Sequence, residues 1–383
     1  MRVIEHFWYR IRPAHLILIP LSLLFGVLAA VRRRAFHAGW VSSERVPVPV
    51  IVVGNISVGG TGKTPLVLWL TQWLRHHGMH PGIVSRGYGS RGGVQPVTPA
   101  SDVRTAGDEP VLLAARAGCP VWIGRRRVQA ARALLAAHPE VDVLLSDDGL
   151  QHYALARDVE IAVVDGERGF GNGMLLPAGP LREPRSRLRR VDAVVVNGGG
   201  HMHTPGPVHF PMRLAGSRLV NLRDPALHAA PDAFVQHTVF AVAGIGYPER
   251  FFAHLRGLGL RIRPQPFPDH HAFVADDLAP FGDEPVVMTE KDAVKCQSFA
   301  RENYWYLPVD AELDDALGQH LLDRIEARQG RQAPRHTRVP RHQRRPDLRQ
   351  GQPGTDLGAG RPRLPHQGRH SGDARGRGEA THP

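Results

Sequence analysis

Cysteine and lysine are the scarcest reactive side chains in this 383-residue chain: it has two of the first and three of the second. Cys119 and Cys296 stand too far apart in sequence to suggest a disulfide scaffold or a zinc site, and so small a number fits a reducing compartment. Lysine is rare although basic residues are not: Lys63, Lys291 and Lys295 stand against 45 arginines. Positive charge is also scarcer in the body of the chain than the formal +12 implies. Residues 330–383 hold 12 arginines and four acidic residues, which leaves 36 basic against 32 acidic side chains before them. The body is therefore only slightly basic, and no nucleic-acid partner is expected. That final segment of Arg, Gln, Pro, Gly and His has almost no apolar residues, so it is expected to be a disordered, appended tail. The length before it is enough for two domains with cores of their own.

What is there is organised around residues 50–65, VIVVGNISVGGTGKTP. A β-branched apolar run, a glycine-rich segment and a helical pattern (Leu66, Val67, Leu68, Leu70, Leu74) follow one another as strand, loop and helix. In that order a glycine-rich loop turns its backbone N–H groups onto a phosphate, and the helix N-terminus adds partial positive charge. Ser57, Val58, Gly59, Gly60, Thr61, Gly62, Lys63 and Thr64 are the candidate nucleotide-binding residues. Lys63 is expected to reach the β- and γ-phosphates and the Thr64 hydroxyl to sit on Mg²⁺. Because arginine is the chain's background cation, the lysine in this loop reads as chosen for its compact ammonium, where a wide guanidinium would crowd the turn. The strict phosphate-loop pattern wants glycine where this chain has Ser57, and the bland alternative is a glycine-rich turn with a solvated lysine.

Ahead of the loop, residues 14–31 carry no formally charged side chain other than titratable His15, with arginines on both flanks. The length is borderline for a span, and the basic triplet Arg32 to Arg34 is the wrong flank for an exported signal. A helix lying in or dipping into the cytoplasmic leaflet fits best; a buried core helix and a true span are the alternatives. Behind the loop, apolar runs at 80–85, 119–124, 141–146, 159–165 and 191–197 alternate with helical segments such as 125–138. That alternation predicts an α/β fold with a parallel sheet, whose ligands gather beyond the carboxyl ends of the strands.

The polar motifs fall at those ends. The strand VDVLLS runs into Asp147 and Asp148, of which either is able to hold Mg²⁺, although paired aspartates also make caps and turns. His152, four residues after Asp148, is placed to meet it if the segment is helical. Asp108 and Glu109 open a helical run, either as a cap with a first-turn acid or as the carboxylate that accepts a hydroxyl proton. Asp269, His270 and His271 lie in the segment FPDHHAF, an ordinary loop or a source of a histidine to orient such a carboxylate. Residues 165–184 are too long and too rich in Gly and Pro for a casual connection, which makes Arg182 and Glu183 candidate ligand contacts. A hinge is expected at 198–206, followed by a second, smaller α/β pattern in which residues 289–292 end a strand beside the interdomain cleft. The expected division is a membrane-associating helix (1–40), a phosphate-loop core (41–200), a smaller α/β domain (201–329) and the tail.

Taken together, GNISVGGTGKTP, SRGYG, GDEP, SDDGLQH, DGERGFGNGMLLPAGPLREP, FPDHHAF and TEKDAVKC closely resemble the tetraacyldisaccharide 4'-kinases of lipid A biosynthesis, from the N-terminus to about residue 328. The resemblance implies a phosphate-loop fold and transfer of the γ-phosphate of ATP, with Mg²⁺, to the 4'-hydroxyl of a tetraacylated disaccharide 1-phosphate, giving lipid IVA. It also implies a place on the cytoplasmic face of a Gram-negative inner membrane and a membrane-embedded glycolipid substrate. By motif, Lys63 and Thr64 match the phosphate and Mg²⁺ ligands, Asp147 the metal-side acid, and Asp148 with His152 further metal-side or nucleotide-side groups. Asp108 matches the base, paired with His270 or else His271, while Arg127, Arg182 and Glu183 match as active-site contacts. A membrane-bound nucleotide switch acting on a protein partner is the competing reading from another class, and protein partners are otherwise unspecified.

Overall fold

Residues 50–54 are buried along their whole length, because in the computed structural model this run, β1 (Val50–Gly54), lies in the middle of a sheet covered on both faces. Ile51 and Val53 point into one apolar core and Val50 and Val52 into the other, as the two-residue period of a strand requires. The structure describes residues 8–9, 13, 15–87, 93–199 and 206–332. Tyr88 and Gly89 of the SRGYG string, most of the expected hinge (200–205) and the expected tail from 333 onward lie outside the described residues.

The sheet around β1 is built from β2 (Pro81–Ser85), β3 (Gln95–Val97), β4 (Val121–Ile123), β5 (Val143–Ser146), β6 (Val159–Asp165), β7 (Ala193–Asn197) and β8 (His209–Ala215). The second sheet holds β9 (Leu219–Asn221), β10 (His228–Ala229), β11 (Thr238–Ala243), β12 (Arg261–Pro266), β13 (Val286–Thr289) and β14 (Tyr304–Leu307), before β15 (Asp310–Glu312) returns to the first. The first sheet runs in the order β15-β8-β7-β6-β1-β5-β2-β4-β3 and the second β10-β9-β14-β13-β11-β12. Around β1 every pairing is parallel, and among the described residues the antiparallel pairs of the first sheet lie at its edges, β3 with β4 and β15 with β8. This is the expected α/β architecture, a parallel core with a second α/β layer system.

Helices cover both faces. α1 (His15–His37) precedes the sheet, and α2 (Lys63–His76), α3 (Asp108–Arg116) and α4 (Arg127–Ala137) cross between its strands. Leu66, Leu70 and Leu74 of α2 and Leu113 of α3 fill one face; Val128, Ala131 and Leu134 of α4 fill the other. In the second layer α5 (Pro248–Gly257) packs Phe251, Phe252 and Leu255 on one side of the sheet, and α6 (Glu290–Cys296) packs Ala293 and Cys296 on the other.

The expected cut at residue 200 is corrected by the pairing. β8, beyond that cut, is hydrogen-bonded in parallel to β7, so the two belong to one sheet. The chain also comes back: after β15, α7 (Ala316–Gln332) lays Leu317, Leu321 and Ile325 into the core of the first sheet. Arg328 fastens the helix to Asp192 at 3.0 Å. We call the layers of the first sheet, with β8, β15 and α7, the first lobe, and those of the second sheet the second lobe.

α1 is held at its small residues and bare at its large ones. Ser22 donates to the Leu175 carbonyl at 3.0 Å and accepts from the Ala178 N–H at 2.9 Å, so the Gly/Pro-rich loop clamps it. A Cβ at Gly26 would stand 2.7 Å from Leu175 Cδ1, so glycine permits this close approach. Ile17, Leu24, Val27 and Leu28 are more than half exposed, which rules out the buried-core-helix alternative. Among the described residues no helix is long and apolar enough to cross a membrane.

Because α7 completes the first core, Leu321→Ala is expected to cost about 2–5 kcal/mol of unfolding free energy, measured by urea denaturation with the whole first lobe as the reporting unit.

Candidate active site

The loop between β1 and α2 is shaped by two glycines and braced from outside. Gly59 and Gly62 have φ of 102° and 92°, and a Cβ at Gly62 would lie 2.5 Å from Asn197 Nδ2. The carbonyls of three successive loop residues are all bonded outward. Asn55 Nδ2 donates to Gly59 at 3.4 Å, Arg168 Nη2 to Gly60 at 2.6 Å, and Asn197 Nδ2 to Thr61 at 3.0 Å. The Val58 N–H is bonded to the Pro180 carbonyl at 2.8 Å, so the start of the loop is tied to the 165–184 segment. With its carbonyls so occupied, the loop offers an anion the first-turn N–H groups of α2, which have no intrahelical acceptor.

Beyond the end of β5 stand the two aspartates. Asp148, at φ 46°, lies 3.5 Å from Lys63 Nζ and 3.2 Å from Arg182 Nη1. Burial opposes its ionisation, but Lys63, Arg182 and Arg127 outweigh burial and hold the carboxyl well below the usual range. Asp147 differs. It is buried; Ser85 Oγ donates to its Oδ2 at 3.3 Å and its Oδ1 has no hydrogen-bond partner among the described residues. Burial, then the neighbouring charges of Glu109 and Asp148, push its carboxyl up. A carboxylate disfavoured in this way is one that a cation would restore. The Thr64 hydroxyl and Asp147 line the same cleft, and one carboxylate with a hydroxyl, completed by phosphate and water oxygens, is a donor set suited to Mg²⁺. No cluster of three or more His, Cys, Asp or Glu able to hold a metal occurs among the described residues.

Arg127 is buried and donates through Nη2 to the carbonyls of Asp147 at 2.6 Å and Asp148 at 2.9 Å, so it fixes the backbone that carries both acids. His152 does not share a helical turn with Asp148, because the chain after β5 runs in turns. Its side chain lines a side cavity of about 430 Å³ with Arg32, Arg86, Arg125 and Arg182. Burial and the arginines around it hold that imidazole down at about 4, so it is neutral at physiological pH. Arg182 reaches Asp148, whereas Glu183 is buried and takes hydrogen bonds from Gln151 at 2.9 Å and Tyr153 at 3.0 Å, with Arg33 of α1 at 3.3 Å. Glu183 therefore organises the loop and α1 from inside.

Across the cleft, Asp108 opens α3 in the first lobe and His270 sits on the loop after β12 in the second. His270 Nδ1 and Asp108 Oδ2 are 3.1 Å apart. His271 faces away, its Nε2 2.9 Å from Asp277 Oδ2. Burial raises the Asp108 carboxyl, but the hydrogen bond from His270 and the charges of Lys291, His270 and Lys295 bring it down to about 2. The same hydrogen bond raises His270 above 6.5 against the opposing effects of burial and Lys291. Lys63, Asp147, Asp148, Asp108 and His270 line one cleft of about 1700 Å³, which extends from Phe25 and Leu28 of α1 past the loop to Tyr247 of the second lobe.

Several residues at the site were given no role by the sequence. Arg168 stacks over the Tyr247 ring at 4.7 Å while its guanidinium holds Gly60, and Arg250 of α5 reaches Asp165 at 2.6 Å. Gly246 packs its backbone on the loop, since a Cβ there would stand 3.2 Å from Gly60 N. Arg168 lies in the 165–184 motif, whereas the trace of Gly246 and Arg250 in the sequence is position, just past the end of β11.

The sign of the ion pair sets a pH window. Asp108, lowered from 3.8, contributes stability above about 3.8 that is lost as pH falls through about 2. His270, raised from 6.5, contributes stability below about 6.5 that is lost as pH rises through its folded value. The stability gap between wild type and Asp108→Asn is expected to be widest between about pH 4 and 6.5 and to narrow above it, as read by denaturant titrations; the His270 midpoint, read by NMR, is expected to fall in the variant.

A family model described as "Tetraacyldisaccharide-1-P 4'-kinase" matches residues 14–326. A tetraacyldisaccharide 4'-kinase of Methylobacillus flagellatus is 52% identical over 325 residues, covering 85% of this chain and 96% of that protein. Another from an Azoarcus species is 53% identical over 323 residues, covering 84% and 94%. In three dimensions the chain is similar to an "apo"-form LpxK of Aquifex aeolicus solved in complex with ATP, with a TM-score of 0.70 and 30% identity over 82% of this chain and 99% of that one. On a family match across most of its length and relatives at half identity, this chain belongs to the tetraacyldisaccharide-1-P 4'-kinase family.

Proposed function

We propose that the chain transfers the γ-phosphoryl group of ATP to the 4'-hydroxyl of a tetraacylated disaccharide 1-phosphate, at the cytoplasmic face of an inner membrane. The observation that carries this reading is a single cleft holding a phosphate loop at one wall, an Asp–His pair at the other and an apolar helix at its mouth. In the reaction the acceptor oxygen bonds to the γ-phosphorus as the bond to the β,γ-bridging oxygen breaks, and ADP leaves with that electron pair. The hydroxyl proton passes to Asp108. A carboxyl held near 2 is a weak base, which suits a loose transition state in which the hydroxyl becomes acidic only late. His270 orients that carboxylate and is a positioning residue.

Lys63 and the N–H groups of the loop stabilise charge on the transferring phosphoryl group, where fixed donors in a cleft are worth most. Asp148 holds Lys63 in place, and Arg182 holds Asp148. Thr64 and Asp147 would hold Mg²⁺, which when bound neutralises charge on the β- and γ-phosphates. The bare apolar residues of α1 and the arginines at its C-terminal end suit a helix resting in an anionic leaflet.

Label transfer from γ-labelled ATP, run with and without the acceptor lipid, tests this. Lys63→Ala is expected to lower kcat/KM by about 10²–10³-fold. Asp108→Asn is expected to lower kcat by about 10²-fold or more while KM for ATP stays within about threefold. Rapid hydrolysis without lipid would favour a nucleotide switch, and full turnover by Asp108→Asn would remove the base assignment.

A further inference from the structure

The chain's two remaining lysines lie one turn apart on α6 and both face Asp108 from the second lobe. Lys295 Nζ lies 2.6 Å from Asp292 Oδ1 and 3.9 Å from Asp108 Oδ2. It already has a buried carboxylate one turn away, and its ammonium sits 5.0 Å from the centre of the Phe273 ring. Lys291 has no such dedicated partner. Its Nζ is 3.1 Å from Glu109 Oε1, 3.8 Å from Asp108 Oδ2 and 3.8 Å from Asp269 Oδ1. Only the first of these is a hydrogen bond, so one cation is divided among three carboxylates, and two of its contacts are long.

An interlobe strut is the bland explanation for Lys291, but the same two helices already have one. Arg116 of α3 forms a forked pair with Glu290 of α6, at 2.6 and 2.7 Å, and also reaches Asp310. Lys291 moreover lines the cleft, and a short path joins it to the phosphate loop. Asp269, one of its partners, stands 3.4 Å from where a Cβ on Gly246 would be, and that same Cβ would touch Gly60 N at 3.2 Å.

We propose that Lys291 is a catalytic cation of the second lobe, parked on Glu109, Asp108 and Asp269 in the unloaded protein and transferred to the terminal phosphate when nucleotide binds. The proposal rests on the reading that the nucleotide's terminal phosphate lies against residues 57–64. Its consequence is a coupled exchange. The ammonium leaves Asp108 as it reaches the γ-phosphate, so charge on the phosphoryl group is compensated and Asp108 loses one of the cations that weaken it as a base, in the same movement. The bond changes are those already given: acceptor oxygen to phosphorus forms, phosphorus to bridging oxygen breaks, and the proton goes to Asp108. A flexible stem with a point charge suits such a transfer, and arginine's rigid fork does not.

The wild-type protein tests this directly with an ATP whose γ-phosphate carries an acyl reporter. A lysine amine beside that phosphate attacks the acyl carbonyl, takes the acyl group and releases ATP, and peptide mapping then reads which lysine is labelled. Label on Lys63 and Lys291, blocked by excess ATP and absent from Lys295, supports the proposal. Label on Lys63 without Lys291 overturns it and leaves the nucleotide site standing; loss of label from Lys63 overturns the nucleotide site itself and the proposal with it. Kinetically, Lys291→Gln is expected to lose about 10²-fold or more in kcat with KM for ATP within about threefold. Turnover within about threefold of wild type also overturns the proposal, and if the variant does not fold, the labelling result decides.

Discussion

An ion pair across a cleft, Asp108 to His270, is the contact on which the geometry of the site turns. Its two members come from different lobes, so the pair exists only when the lobes sit as they do here. Other contacts enforce that placement: Gly246 on Gly60, Arg250 on Asp165 and Arg116 on Glu290. The pair itself is a modest source of stability. The His270 side chain is 35% exposed, so water screens much of the attraction. Its value is positional, since it gives one carboxylate oxygen a fixed direction opposite the phosphate loop.

Electrostatically the site divides its acids by what surrounds them. Asp148 faces Lys63 and Arg182 and is held ionised, whereas Asp147, one residue earlier, is buried with an oxygen unpartnered among the described residues and is pushed toward neutrality. Two adjacent aspartates thus take opposite tasks, one restraining a cation and the other suited to receive one. Arg127, which fills the space beneath both carbonyls, makes that division possible by preventing the turn from relaxing. All three lysines of the chain lie within 4 Å of a site carboxylate, which gives their scarcity a physical meaning. Arginine serves as the structural cation here, tying loops and lobes together, while the compact lysine ammonium is kept beside the carboxylates of the cleft.

How much of this was legible in the sequence depended on whether the information was local. Residues 50–65 could be read because a β-branched run, glycines and a Lys-Thr pair sit side by side, and the parallel core followed from Val-rich runs between helices. The Asp–His pair could not be fully read, because its members lie 162 residues apart and each has an ordinary local explanation. His270 and His271 differ only in what folds around them: His271 is used up with Asp277, which also takes the Val274 N–H at 3.0 Å. For His152 the condition of a helical segment is not met, and four-residue spacing carries meaning only inside a helix. The domain boundary was set at a glycine-rich stretch, yet β8 continues the first sheet past it. β8 contains a proline and exposed polar positions, and β15 has three residues, so neither carries the pattern of a buried strand.

The position of α1 follows from the same cleft. A helix with Ile17, Leu24, Val27 and Leu28 in the open would be a liability in water, and the loop that clamps it makes no attempt to cover them. The lipid surface proposed above would remove that cost. Phe25 and Leu28 of α1 also line the cleft that holds the phosphate loop, so the apolar surface continues from the outside of the protein to the reacting groups. For the proposed acceptor this continuity decides feasibility. Each methylene drawn into water costs about 0.8 kcal/mol, so exposing even ten would cost about 8 kcal/mol, a factor on the order of 10⁶ in population. An enzyme that lifted the lipid out would lose that factor before any chemistry began. One whose cleft opens beside a membrane-resting helix can leave the acyl chains where they are and bring only the sugar hydroxyl to Asp108.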